Sequence, residues 1–274
     1  MKKILVPVDF SGSSQKALMF ALKIAVKLKS EVIIYHSFAM PYDFASRLDL
    51  VLTSYQKDSD KKLKQFVDDH FPKSKEGVEP PIKLVSEPGE VVSNVNKYVL
   101  KHGVNLVVMG TQGASGIKKV LIGSNTSELI KTCPSPVLAI PEKADFSKIN
   151  SILYATDHHE NDLKVIKSLE FWLDLFNAKL STLHVAPEKS FATEVQFLGY
   201  KQYLKKQTEL PIGKHFLVID KNPEKGIEKF TQTRKNAILV TVPHKKSLWE
   251  LLFGKSVTST LAYHTHLPIL ALRF

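Results

Sequence analysis

The chain has 274 residues, 43% of them hydrophobic, and a formal charge of +11, enough for two ordinary domains with a filled core each. No apolar run approaches the length of a membrane span. The lysines are spread over both halves without interleaved stacking aromatics, which argues against a nucleic-acid stripe. Cys133 is the single cysteine, so no internal disulfide can form. The start Met1-Lys2-Lys3 meets Pro7 and Asp9 too soon for a signal peptide. The expectation is a soluble cytoplasmic protein with no membrane or nucleic-acid partner, whose positive field favours anionic ligands.

Ile4 to Asp9 reads as a short buried strand ending in a carboxylate, and Ser11-Gly12-Ser13-Ser14 leads into a helix. In that helix Ala17, Leu18, Ala21, Leu22, Ile24, Ala25 and Leu28 share one face. A second strand spans 31–38. A long helix follows within 40–71, with Leu48, Val51, Leu52, Tyr55, Leu63, Phe66 and Val67 as its inner stripe. After several breakers come a third strand at 82–86, a turn at Pro88-Gly89, a helix to His102 and a fourth strand, Leu106 to Met109. Strands alternating with helices predict βαβ units on a parallel sheet, whose ligands sit beyond the carboxyl ends of the strands where strand order reverses.

The fourth strand runs into the stretch that concentrates the candidate chemistry, Gly110, Gly113 and then Gly123-Ser124. Glycines let a ligand approach the main chain closely. Ser124, Asn125, Thr126 and Ser127 open a helix whose first amides and dipole favour an anion. The spacing of Gly, two residues, Gly, nine residues and Gly-Ser resembles the nucleotide-binding signature of the universal stress protein family. That resemblance implies five parallel strands in the order 3-2-1-4-5 flanked by helices, the adenine nucleotide alpha hydrolase-like architecture. It also implies ATP over the first and fourth strands, with Mg²⁺ arriving on the phosphates. The residues it nominates are Pro7, Val8 and Ser37 at the adenine through their main chain, Asp9 at a ribose hydroxyl or the adenine amine, and Met109, Gly110, Gln112, Gly113, Gly123, Ser124, Asn125 and Thr126 along the nucleotide. Asp9 alone would otherwise be read as a helix cap.

Beyond Pro141 the pattern restarts: 149–157 echoes 2–9, 180–185 echoes 32–37, 237–242 echoes the fourth strand and 267–272 echoes 135–140. Two tandem α/β domains are expected, 1–144 with the intact motif and 148–274 with a degenerate one, pairing as an intramolecular pseudo-dimer through their last strands, with room for a further homodimer. Aligned on Gly254, the second copy has Thr241 for Gly110, His244 for Gly113 and Lys255 for Ser124. Gly254-Lys255-Ser256 is no P-loop, because Trp249 stands where its first glycine belongs. His158, His159 and His244 admit a zinc site, though at no metal spacing, and Phe191, Val195, Phe197, Leu198 and Tyr200 an apolar lid.

Three functions are open to this sequence. The first is an ATP-binding stress-response or signalling protein with a structural or regulatory second domain, hydrolysing ATP slowly if at all. The second is an adenylating or pyrophosphate-releasing enzyme, against which stands a serine-glycine loop lacking its second glycine and its aspartate. The third is a nucleotide-free scaffold, or a small-molecule or metal binder through the second half.

Overall fold

The computed structural model describes residues 2–39, 48–71, 79–112, 123–242 and 267–273. They fall into two compact units, the first ending at Glu142 and the second beginning at Lys143. In the first, β1 (Lys3–Pro7), β2 (Glu31–Phe38), β3 (Ile82–Pro88), β4 (Leu106–Gly110) and β5 (Val137–Ile140) alternate with α1 (Gly12–Leu28), α2 (Leu48–His70), α3 (Val91–His102) and α4 (Ser124–Thr132). The strands lie in the order β3-β2-β1-β4-β5, and every pairing is parallel.

Hydrophobic runs make this sheet. Every residue of β4 and β5 is buried, as are Ile4, Leu5 and Val6 of β1, because helices cover both faces of a parallel sheet. α1 buries Ala17, Leu18, Ala21, Ile24 and Ala25 against it. It starts where the Ser11 hydroxyl accepts the Ser14 amide at 3.2 Å, and it stops at Lys29 in the left-handed region. Along α2, Leu63 and Phe66 are buried as their periodicity predicts, but Tyr55 is exposed. The expected inner stripe is therefore confined to the second half of the described helix, and the side chains of Leu48 and Val51 lie outside the described residues. The third strand extends beyond the expected 82–86 to Pro88, where Gly89 turns the chain at φ 117°.

The second unit repeats this order: β6 (Ser151–Ala155), β7 (Lys179–Ala186), β8 (Ile212–Ile219), β9 (Ala237–Thr241) and β10 (Ile269–Ala271) lie as β8-β7-β6-β9-β10. Its first helix is split at Leu169 into α5 (Asp162–Ser168) and α6 (Glu170–Phe176), followed by α7 (Phe191–Gln207) and α8 (Pro223–Gln232). The duplication reaches the backbone. Phe10, Lys29, His158 and Asn177 are the non-glycine residues with positive φ among those described, at 65°, 49°, 61° and 48°, and they match in pairs along the repeat. A side chain in this region costs energy that only surrounding structure can hold in place. Phe10 and His158 follow the matching carboxylates Asp9 and Asp157, at the same bend past the first strand.

Candidate functional site

At the carboxyl ends of β1 and β4, where strand order reverses, a cavity of about 230 Å³ opens. Pro7, Val8, Asp9, Ser37, Met109, Gly110, Gln112, Gly123, Ser124, Asn125 and Thr126 line it, together with Ser14 and Val91. The candidate residues of the first unit are thus neighbours, apart from Gly113, which lies outside the described residues. Val91 was not foreseen, and Ser14 entered only as part of the serine-glycine loop after the first strand; each sits in the first turn of a helix leaving the sheet.

Hydrogen bonds define what each group can still do. The Val8 amide donates to the Tyr35 carbonyl at 2.8 Å, and the Val8 carbonyl accepts from His36 Nδ1 at 2.7 Å. Only the carbonyl keeps acceptor capacity on that residue. Ser37 lies within β2, and its hydroxyl accepts from Asn94 Nδ2 at 3.3 Å. Asp9 does not cap α1. Its Oδ1 accepts the Ser11 amide at 3.1 Å and the Ser11 hydroxyl at 2.6 Å, leaving the cap to Ser11. This tight turn holds the carboxylate, half-buried, at the rim of the cavity.

Gly110 is bare for a reason the motif alone hides. A Cβ there would lie 2.7 Å from the backbone carbon of Ser13 and 2.7 Å from its hydroxyl, closer than packed atoms approach. The first turn of α1 therefore presses on this strand end, and glycine is what admits it. The Thr126 hydroxyl donates to the Gly110 carbonyl at 2.8 Å and is buried, so it ties α4 to β4. The Gly123 amide donates to Thr111 at 2.6 Å, which fixes where α4 begins. Beyond it α4 has no side-chain cap, and Ser124 and Asn125 are exposed in its first turn. Uncapped amides at the positive end of a helix make a place for an anion. Asp9 is the single titratable side chain among the described lining residues.

The matching place in the second unit is built differently. Leu239 pairs with Leu153 and Ile269 as Val107 pairs with Leu5 and Val137. By that register Thr241 stands for Met109, and buried Val242 for Gly110. The sequence alignment, which set Thr241 opposite Gly110, is one residue out, because strand pairing rather than loop length fixes equivalence. An isopropyl group thus replaces the bare backbone. His244, Lys255, Gly254, His264 and His266 lie outside the described residues.

Asp162, at the sequence position matching Ser14, is buried and accepts hydrogen bonds from three hydroxyls: Tyr154 and Tyr200, both at 2.7 Å, and Thr156. Burial and this carboxylate push both tyrosines far above the usual phenol range. Beside it the His158 ring stacks between His184, 4.0 Å away, and Tyr200, 4.1 Å away, as Phe10 packs on His36 at 4.4 Å. His184 Nδ1 donates to the Thr156 carbonyl at 2.9 Å, repeating His36. The buried His158 Nδ1 has no hydrogen-bond partner among the described residues. Burial first, then His184 and His215, hold His158 down to about 3. Stacked face to face, His158 and His184 do not converge on a metal, and no metal-holding group of histidine, cysteine or carboxylates occurs among the described residues. Of the expected apolar lid, Tyr200 belongs to the buried cluster, while Phe191, Val195 and Leu198 are exposed.

The family model described as the universal stress protein family matches residues 1–141. The universal stress protein MJ0577 of Methanocaldococcus jannaschii is 28% identical over 163 residues, covering 52% of this chain and 96% of that protein. YxiE, a universal stress protein of Bacillus subtilis, is 26% identical over 149 residues, covering 50% and 97%. Among solved structures, a universal stress protein from Archaeoglobus fulgidus shares the fold, with a TM-score of 0.69 at 15% identity over 99% of this chain and 96% of that one. The chain belongs to the universal stress protein family.

Proposed function

We propose that the first unit binds an adenine nucleotide, ATP, in the crevice between β1 and β4, and that the chain acts in the cytoplasm as a nucleotide-dependent stress-response protein. The observation that carries this is the meeting of three features in one cavity: the uncapped start of α4, the bare backbone at Gly110 and the Asp9 carboxylate. Ser124, Asn125 and the α4 amides would hold phosphate, and Asp9 a ribose hydroxyl or the adenine amine. Gly113 belongs to the same reading through its place in the motif. Mg²⁺ would be carried by the phosphates, since hard divalent ions at such sites keep few protein ligands. The second unit, with Val242 in place of the glycine and a closed hydroxyl–carboxylate cluster beside it, serves a structural or regulatory part.

Thermal unfolding with and without Mg-ATP tests this on the wild type and on Ser124→Glu. A site filled to 100 times its dissociation constant adds about 2.7 kcal/mol of apparent stability. A glutamate in the first turn favours the helix but repels a triphosphate, so the variant stays folded and loses the shift. A nucleotide-free wild type that ATP does not stabilise, or equal shifts in both proteins, overturns the proposal.

A further inference from the structure

α7 carries apolar side chains on its outer face as well as on its inner one. Phe191, Val195 and Leu198 recur every three or four residues and are 84%, 51% and 58% exposed, while Tyr200 and Leu204 on the opposite side are buried. Gln202 and Lys205, both exposed, continue the row toward the end of the helix, and exposed Glu188 stands just ahead of its start. In heptad terms Val195 and Gln202 take a positions, and Phe191, Leu198 and Lys205 take d positions. Single exposed apolar side chains are ordinary; three in a helical row with polar ends make a seam.

Two further observations bear on what covers this seam. Gly199 stands inside the helix, where glycine costs about 1 kcal/mol relative to alanine. Nothing in its own chain asks for it: a Cβ there meets no atom within 4 Å, and its φ is not positive. By helical position it lies beside the seam on the same flank as Ala192, so that flank has no bulk and a second helix can approach its backbone closely. The other flank carries Glu194 and Lys201, one heptad apart and both exposed. Lys189 lies 3.6 Å from Glu194 Oε1, an exposed pair of little energy, and the second carboxylate oxygen can take another cation. Carboxylates Glu188 and Glu194 thus flank the start of the seam, and ammonium groups Lys201 and Lys205 its end. A face charged in this order is complementary to itself turned end for end, as a two-fold contact requires.

We propose that this face binds a second copy of the chain, the two α7 helices packing antiparallel about a two-fold axis. In that register Val195 of one copy meets Leu198 of the other, and Phe191 covers the stem of Gln202. Glu194 pairs with Lys201 along one flank, and Glu188 approaches Lys205 at each end. Every contact occurs twice. Ala192 and Gly199 face each other on the remaining flank, which accounts for the glycine. Parallel pairing would instead set Lys201 against Lys206 and leave Glu194 facing Gly199, so charge selects the antiparallel order. A foreign partner gives no reason for one helix to carry both signs in this arrangement. The 17 residues of α7 span about 25 Å. The contact therefore buries less than the roughly 800 Å² per partner of a standard interface, and the dimer is weak, with a dissociation constant on the order of tens of micromolar. The seam lies in the second unit and does not rest on the nucleotide reading.

Sedimentation equilibrium of the full-length, nucleotide-free protein tests this from roughly 1 to 500 µM, a range that brackets the expected constant. The expected result is a monomer in equilibrium with a dimer that weakens as salt is added. Leu198→Glu, at an exposed position that the monomer tolerates, puts a carboxylate in the middle of the seam and abolishes the dimer. An exposed ion pair is worth up to about fivefold in affinity, and this one occurs twice, so Glu194→Lys weakens the dimer about tenfold or more. Adding Lys201→Glu restores opposite charges across the seam and brings the constant back to within about threefold of wild type. A loss caused only by a weaker helix is not restored in that way, because the lysine stays near the helix start. Urea midpoints at dilute concentration check the fold of each variant. Three results overturn the proposal: a wild type that stays monomeric throughout the range, a dimer indifferent to Leu198→Glu, and a double variant no tighter than Glu194→Lys alone. The first assigns the stripe to a foreign partner, and the second places the dimer on another surface.

Discussion

Replacing His158 by Phe should stabilise the second unit, and increasingly so as pH falls. In the wild type the half-buried ring lies between His184 and Tyr200, and its buried Nδ1 has no hydrogen-bond partner among the described residues. Leaving a buried polar atom unsatisfied costs about 1–3 kcal/mol, while the stacking surface is common to both rings. The backbone is no obstacle, since Phe10 holds φ 65° at the matching bend and His158 holds 61°; the strain is the same before and after and cancels. A gain of about 1 kcal/mol at pH 7.5 follows, taking the lower end because the ring is half-buried. For a domain of this size that is a rise of roughly 4 °C in its midpoint. The sign of the pH effect follows from the depressed pKa. His158 titrates at about 3 when folded, against an ordinary 6.5. Below 6.5 the unfolded chain takes up a proton that the folded state refuses, so stability is lost as pH falls from 6.5 toward 3. The phenylalanine variant lacks that loss, and a smaller slope remains from His215, also depressed. Urea denaturation at pH 7.5 and 5.5 measures both effects. A variant less stable than wild type at pH 7.5, or an advantage no larger at pH 5.5, refutes the reasoning.

Gly110→Ala should cost about 1–3 kcal/mol, as overpacking does, because its Cβ would meet the Ser13 backbone at 2.7 Å; urea midpoints without nucleotide separate this from any binding loss. Asp162→Ala strands the Tyr154, Thr156 and Tyr200 hydroxyls and should cost about 3 kcal/mol or more, allowing for donors that re-pair. Tyr200→Phe, which removes one donor and leaves the carboxylate two, should cost only about 1 kcal/mol by the same measurement.

Much of this molecule could be read from local pattern. Short apolar runs ending at Asp9 and Gly110 are strands because buried parallel strands are hydrophobic throughout, and the periodic stripe of α1 is a helix face, both local properties. The repeat was legible because each copy must solve the same packing problem with similar residues. Asp9 and the start of α4 were recognisable as candidates from residue type and spacing, since main-chain chemistry at a strand end or helix start depends on near neighbours.

Three-dimensional contact decided the rest. That Gly110 must be bare for α1, and not for a ligand alone, is visible only when Ser13 is seen against it across a long sequence separation. Equivalence of Val242 with Gly110 came from strand register, which a gap in a loop disguises. The Asp162 cluster draws on β6, α5 and α7, and no spacing along the chain announces it. Sequence by itself determined the elements, the duplication and which residues stand as candidates at the strand ends, because these follow from periodicity and side-chain chemistry. Only the tertiary structure decided which of their polar groups are already engaged and which crevice is filled by its own side chains, because hydrogen bonds and packing are settled between segments far apart in the chain.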